Sequence, residues 1–480
     1  MGEKTGNLDF DKRVCYCKII TNVEENMENK WKELKPQVQL IWRLSLPGIL
    51  THITSTVMQY IDSAMVGALG ANASAAIGLV ASSTWLINGM AYALSAGFSV
   101  QVAHRIGAGQ ADEARNVVRH GLIATVAVSL LTCLFSLGIS GRLPLWLGGE
   151  AAIQKDATAY FVTFALMIPF FQMNTVTASF LQCSGDMVTP SILNALMCLL
   201  DVVFNAFFIP RFGVLGAGIG TGLACAVISL CMLWRCCISS PVLGLRGKGR
   251  GVFRKKILTE ALRIGTPVLL EEGGLCGAMV VSTMIIAPLG SVAIAANSFA
   301  VTAEGLCYMP GYGVASAATA VVGRSIGAGD VKLAKRYGNI CIAMGSILMG
   351  MAALFMALVC PFLFTLLTPD PQVRALATQV LRIGLIAEPL FGAAIVGAGA
   401  LRGTGDTFVP SMICMGSIWI VRLGMALLLV GRFGLHGMWI AMATELCLRG
   451  LLMLYRQKTT RYYNHKEFNR SGNESAGTGA

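Results

Sequence analysis

At 480 residues, with 55% hydrophobic and only 13% charged, and a mean hydropathy of +0.66, the chain is too apolar for a water-soluble enzyme, in which about 25% of residues are charged. Disorder is excluded by the same figures, and collagen by the absence of a glycine period. The formal net charge of +12 suggests nucleic acid until its distribution is read: the basic residues cluster in short loops between apolar segments, so the charge reports membrane topology and no nucleic-acid partner is expected.

Residues 1–39 read as a polar cytoplasmic N-tail. It has no apolar core of a cleavable signal peptide. Met27 opens MENKWKELKP, an ordinary-looking translation start, so the 26 residues upstream read as a start-site extension. Apolar windows then fall near 44–68, 76–103, 117–141, 157–183, 188–209 and 214–237. Six more follow near 262–287, 296–322, 337–362, 376–402, 409–430 and 436–456. Each is long enough to cross a hydrocarbon core of about 30 Å. The expected fold is an all-α integral membrane protein of twelve transmembrane helices in two six-helix bundles. The bundles occupy 40–238 and 259–456, joined by a basic cytoplasmic linker at 239–258 and followed by a polar cytoplasmic C-tail at 457–480.

Most of the fifteen cysteines sit singly inside apolar windows, such as Cys133, Cys198, Cys225, Cys276, Cys307 and Cys414, and read as small buried hydrophobes. Cys15-x-Cys17 and Cys236-Cys237 lack zinc spacing, so neither a metal site nor a cofactor is expected.

Lysine and arginine count sets the orientation. With the N-terminus inside, thirty fall on the cytoplasmic side and six outside, with Arg422 left within a span. Both termini are therefore expected in the cytoplasm, in a multi-pass protein of the cell membrane.

An internal repeat is the more informative feature. Residues 43–109 align without gaps onto 263–329, an offset of 220, with 15 identities in 67 positions. Arg43-x-x-x-Pro47 matches Arg263-x-x-x-Pro267, and Ile106-Gly-Ala-Gly109 matches Ile326-Gly-Ala-Gly329. The offset returns at Gly185-Asp186 and Gly405-Asp406, and as 221 at Arg211-Phe-Gly213 and Arg432-Phe-Gly434. Six spans per half is an even number, so the halves enter with one orientation. Parallel repeats of this kind suit alternating-access transporters whose site lies between the halves.

Pro47, the stretch Asp62-Ser-Ala-Met-Val-Gly67, the two Ile-Gly-Ala-Gly loops and Leu401-Arg-Gly-Thr-Gly-Asp406 resemble the multidrug and toxic compound extrusion (MATE) family. The resemblance covers nearly all of residues 40–455. It implies two six-helix bundles around a central cavity, and export of organic, often cationic, compounds against Na+ or H+.

The acids inside apolar spans are Asp62, Asp201, Glu271, Glu272, Glu304, Glu388 and Glu445, against Arg422 as the one clear base. A charge at mid-bilayer costs roughly 2.5–3.5 kcal/mol on insertion scales, and seven acids against one arginine cannot all be paired, so some must be protonated, solvated or occupied by a cation. Asp62 is the first candidate, where the resemblance implies a functional acid. On span 5 relatives carry Asn-x-x-x-Asp; here the order is reversed, Asp201-x-x-x-Asn205. Spacing of i, i+4 keeps both on one helix face. Thr221 stands where the family offers a hydroxyl. Asp62, Asp201, Asn205 and Thr221 form an oxygen-rich cation-coupling set suited to a hard cation, and the carboxylates serve a proton equally well.

The second half departs from the family. Relatives carry acids at positions aligned with Leu275 and Phe391; this chain has Glu271, Glu272 and Glu388 about one turn earlier. The shift either preserves a facing pair or marks a different subgroup. Glu304 is a further candidate, or pairs with Arg422 in a structural role. In the repeat Arg422 lies opposite Val202, next to Asp201, an asymmetry that suggests cation coupling centred in the first half. Trp85, Met90, Tyr92, Gln172, Met173, Phe299, Tyr308 and Met309 are candidate cavity-lining residues, since aromatic and methionine walls accommodate cations.

The expected function is secondary efflux of small amphipathic organic cations by a monomer, among membrane lipids. A lipid-linked substrate flippase is the alternative, and the acidic spans argue against it. A non-transport membrane protein leaves the repeat unexplained. No catalytic motif or phosphate-binding loop marks an enzyme or an ATP-driven pump.

Overall fold

The structure, a computed structural model, describes residues 6–246 and 252–463, with side chains from residue 32 onward except at 71. The Met1 start, the middle of the basic linker and most of the C-tail lie outside the described residues. Two units divide at Arg43. The first is helical from Gly6, so the polar N-tail read from the sequence is continuous helix over its described part. Everything below concerns the second, Leu44–Ala480.

Its helices are α1 (Gly6–Gly67, of which 44–67 belong here), α2 (Ala71–Gly107), α3 (Ala111–Ile139), the single turn α4 (Leu143–Trp146), α5 (Ala151–Ser184), α6 (Val188–Phe212) and α7 (Val214–Trp234). The second half holds α8 (Lys255–Ile286), α9 (Ser291–Gly327), α10 (Val331–Leu367), α11 (Pro371–Leu385), α12 (Glu388–Thr404), α13 (Phe408–Gly416), α14 (Leu423–Phe433) and α15 (Leu435–Thr459). Among the described residues ten stretches are long and apolar enough to cross a membrane, and an eleventh is the pair α11 and α12, bent by 54°. The first predicted span is missing from that set because Thr51, His52, Thr54, Ser55, Gln59, Tyr60, Asp62 and Ser63 make it polar. Its helix and its place in the repeat make it the twelfth. The protein is a multi-pass, all-helical membrane protein.

The repeat is visible in the backbone. Both Gly185 (φ 99°) and Gly405 (φ 90°) end a helix in the left-handed conformation that glycine alone enters freely. In each case the next aspartate reaches back: Asp186 N–H donates to Leu181 O at 2.9 Å and Asp406 N–H to Leu401 O at 3.1 Å. Their carboxylates then tie the start of one span to the end of the next. Asp186 pairs with Arg235 at 3.0 Å and Asp406 with Arg456 at 2.7 Å.

Within the first lobe α2 packs on α3 and α5, α5 on α7, and α6 on α7; within the second α9 packs on α10 and α12, and α12 on α15. The lobes meet through α2 against α8 and α9. Glycine brings the backbones into contact there. A Cβ on Gly107 would lie 2.0 Å from Arg324 O, and one on Gly327 2.0 Å from His104 O, reciprocal contacts 220 residues apart. A Cβ on Gly97 would lie 2.5 Å from Ala261 O, and one on Gly313 2.3 Å from Ile49 N. These approaches fall near the start of the first span within α1, the start of α8 and toward the ends of α2 and α9, so the lobes are sealed at one end. Toward the other end of the same helices Trp85 and Met284 are 52% and 66% exposed.

Candidate functional site

On α6, Asp201 and Asn205 stand one turn apart on the face turned to α1 and α7, and both are fully buried. Asn205 Nδ2 donates to Asp62 Oδ1 on α1 at 2.8 Å and to Asp201 Oδ1 at 3.2 Å, and lies 3.5 Å from Thr221 Oγ1 on α7. Three helices thus bring all four predicted residues of the set together around one amide. Gly220 makes the room, because a Cβ there would lie 2.1 Å from Asn205 Oδ1. Gly220 closes the Gly216-x-x-x-Gly220 spacing, so this glycine gives Asn205 its place as well as letting helices approach. Tyr160 on α5 stands within electrostatic reach of both aspartates; nothing in its local sequence distinguished it.

The cluster has more acceptors than donors. Asp201 Oδ2 and Asn205 Oδ1 are buried without a hydrogen-bond partner, and no arginine or lysine pairs with Asp62 or Asp201 among the described residues. Buried acceptors left unmatched are costly. A small cation with an oxygen shell, or a proton on a carboxylate, relieves that cost.

The second lobe holds a different arrangement. Glu388 opens α12 at the bend after α11, followed by Pro389, and is fully buried. Glu304 on α9 is 5% exposed. Both oxygens of Glu388 and Oε1 of Glu304 have no hydrogen-bond partner, and the two carboxylates interact electrostatically. Gly384, at the end of α11, makes room for the Trp439 ring beside Glu304: a Cβ there would lie 2.7 Å from the ring. The repeat places Thr84 and Ile168 at the equivalent positions of the first lobe, so this pair belongs to the second lobe alone.

Three expectations change. Glu304 lies within electrostatic reach of Arg422 but makes no ion pair with it. The π-helical turn Ser417–Arg422 packs on α15, which carries Glu445. Arg422 Nη2 reaches Glu445 at 2.7 Å, and Glu445 also takes Arg449 Nε at 2.8 Å and Ser417 Oγ at 2.7 Å. Arg422, half-buried, is not the sole base at span level either, since Arg449 is buried beside Glu445. Nor do Glu271 and Glu272 face Glu388. Glu271 accepts Ser411 Oγ at 2.7 Å, whereas Glu272 packs against α2 where Gly89 leaves space. Helix bends and rotations, invisible in a linear pattern, chose these partners.

Of the cavity candidates, Trp85 and Tyr92 are exposed, while Met90, Met173, Phe299, Tyr308 and Met309 are half-buried. Tyr308 meets Phe391 and Tyr312 edge-on at 5.7 and 6.0 Å, and Phe299 packs against the second-lobe core. Gln172 is buried, with neither amide atom hydrogen-bonded.

The sequence profile described as MatE matches residues 47–207 and 267–428, one segment in each half. This chain belongs to the MatE family. Among MatE relatives, the probable multidrug resistance protein NorM of Thermotoga maritima is 28% identical over 442 residues, covering 88% of this chain and 93% of that protein. The protein of the same description from Idiomarina loihiensis is 27% identical over 478 residues, covering 93% and 100%. A solved structure described as the outward-facing conformation of a multidrug resistance MATE family transporter of the MOP superfamily superposes with a TM-score of 0.85 at 22% identity, over 90% of this chain and 97% of that chain. At that identity the likeness concerns the MatE fold.

Proposed function

We propose that this MatE protein is a secondary multidrug efflux antiporter that exports small amphipathic organic cations in exchange for Na+ or H+ by alternating access. It works as a monomer in the cell membrane, and no bond is made or broken in the cycle. The observation that carries this reading is the acceptor-rich cluster of Asp62, Asp201, Asn205 and Thr221, left without a basic partner inside an apolar lobe. The multidrug resistance descriptions of the Thermotoga and Idiomarina relatives support it.

The excess of lysine and arginine on one side supports cytoplasmic termini. The sealed end of the lobes then faces the cytoplasm, and the Asp62 cluster lies in the outer half. Reporter fusions after Ser240 and Thr460 are expected to read cytoplasmic; an extracellular reading after Ser240 would overturn the six-plus-six orientation.

In this reading an incoming cation and the outgoing drug compete for the same carboxylates, so each lowers the other's affinity by the same factor. That reciprocity couples the two fluxes as the lobes rock. Aromatic and methionine side chains such as Trp85, Tyr308 and Met309 give loose shape selection and tolerate cations. Export of a cationic dye such as ethidium is expected to depend on an imposed Na+ or pH gradient and to be inhibited by unrelated organic cations. Preferential export of an anionic dye of similar size, with no competition among cations, would sink the antiporter reading in favour of lipid-linked substrate flipping.

A further inference from the structure

We infer that the contact between Arg402 and Tyr92 is a latch that holds the two lobes shut at their sealed end, and that it must release for the protein to open there. The inference rests on the alternating-access reading for its purpose, though not for its test.

Tyr92 is on α2 of the first lobe, and Arg402 is on the last turn of α12 in the second. Arg402 Nη1 donates a hydrogen bond to Tyr92 Oη, and its guanidinium carbon lies 5.0 Å from the centre of the Tyr92 ring. One side chain thus makes both a charge-assisted hydrogen bond and a cation–π contact across the interface. Three further hydrogen bonds between spans of the two lobes, among the described residues, end on backbone oxygens. Gln101 Nε2 donates to Ile257 O at 3.1 Å, Tyr60 Oη donates to Thr302 O at 3.1 Å, and His104 Nε2 lies 2.8 Å from Gly403 O. The Arg254–Glu113 ion pair, at 3.0 Å, sits outside the spans where the linker meets α3. Arg324 of α9 also reaches the first lobe, against Gly185, but among the described residues Arg402 is the charged side chain of the spans that makes a side-chain hydrogen bond across the interface.

The latch also has somewhere to go. Glu271 and Glu272, on α8 of the same lobe as Arg402, lie within electrostatic reach of its guanidinium. Ser411, also on that lobe, holds Glu271 in place. When the lobes part, Arg402 loses Tyr92 but keeps two carboxylates that travel with it. A charge with a partner in each state is what a two-state element needs. Glu272 further marks the interface, since its side chain fills the space Gly89 leaves one turn from Tyr92.

Finally, the latch breaks the pseudo-symmetry. The repeat puts Gln182 opposite Arg402, Tyr312 opposite Tyr92 and His52 opposite Glu272. On that side the ring of Tyr312 meets His52 at 5.7 Å, with no arginine counterpart. The reciprocal glycine contacts seal both sides alike, whereas the charged hydrogen bond from Arg402 has no equivalent at Gln182 among the described residues. Its strength sets how readily the seal opens.

The test is a distance measurement on purified full-length protein in lipid nanodiscs, with spin labels at Asp112 and Lys332, exposed positions next to the two glycine contacts. The wild type is expected to give mainly the short, sealed distance. Arg402→Ala is expected to raise the long-distance population roughly tenfold, the equilibrium change for loss of a charged hydrogen bond. Tyr92→Phe, which keeps the ring and loses the hydroxyl, is expected to give a smaller rise, and serves if Arg402→Ala folds poorly. Unchanged distances in Arg402→Ala, or in Tyr92→Phe when that is the folded variant, would overturn the latch. Neither drug nor coupling ion is present, so a failed export assay and a failed latch are separate results.

Discussion

Export of a cationic dye falls at least about tenfold in Asp62→Asn and in Asp201→Asn, while both variants reach the membrane in wild-type amounts. The expectation follows from what the substitution keeps and removes. An amide at residue 62 still offers an oxygen to Asn205 Nδ2, which now sits 2.8 Å from the carboxylate, so the helix contacts survive. What goes is the negative charge that a coupling cation or proton requires. A tenfold change corresponds to about 1.4 kcal/mol, below the roughly 2.5–3.5 kcal/mol assigned to one charge at the centre of a spanning helix. Removing that charge eases insertion, so lost expression is not the expected cause of lost export. The measurement is dye efflux from cells under an imposed Na+ or pH gradient, with membrane protein quantified alongside. Wild-type efflux in both variants would end the assignment of this cluster.

Glu388→Gln produces the second large effect, and it is double-edged. Glu388 is fully buried and neither of its oxygens is hydrogen-bonded, with the Glu304 carboxylate nearby. A neutral amide of the same shape relieves that electrostatic burden, so the variant is expected to melt higher than the wild type in buffer without Na+. If the pair takes up a cation during transport, the same variant exports poorly. Binding to the folded state adds stability that grows with concentration, about 2.7 kcal/mol at a hundred times the dissociation constant. Any Na+-dependent rise in melting temperature should therefore shrink in Glu388→Gln and in Glu304→Gln. Glu445→Gln is the contrast. Its carboxylate is held by Arg422, Arg449 and Ser417, so losing that charge strands the buried Arg449 and the half-buried Arg422 guanidinium and lowers stability. Normal export in Glu388→Gln, with its melting gain, would make the second-lobe pair structural.

The residues that were legible in advance share a local cause. Asp201 and Asn205 lie on one face because i, i+4 spacing sets that geometry within a single helix. The lobes are alike because Gly185-Asp186 and Gly405-Asp406 carry their turn and their ion pair within a few residues. Asp62 joined the set through family resemblance, since no local rule brings a residue on α1 to one on α6. The room Gly220 gives Asn205 depends on which side chain of α6 faces it, which no local pattern specifies.

Apolar length, the one-sided basic loops and the offset of 220 by themselves determined a membrane protein of twelve spans in two repeated halves. Those properties follow from solvent transfer and from turns a few residues long, so the order of residues suffices. Only the tertiary structure decided that Glu388 meets Glu304, that Arg422 meets Glu445, and that Arg402 crosses to Tyr92, partners 84, 23 and 310 residues apart. A 54° bend, a π-helical turn and glycine contacts between backbones set those pairs. Each rotates or draws in a whole helix, and a carboxylate's partner depends on the direction it then points.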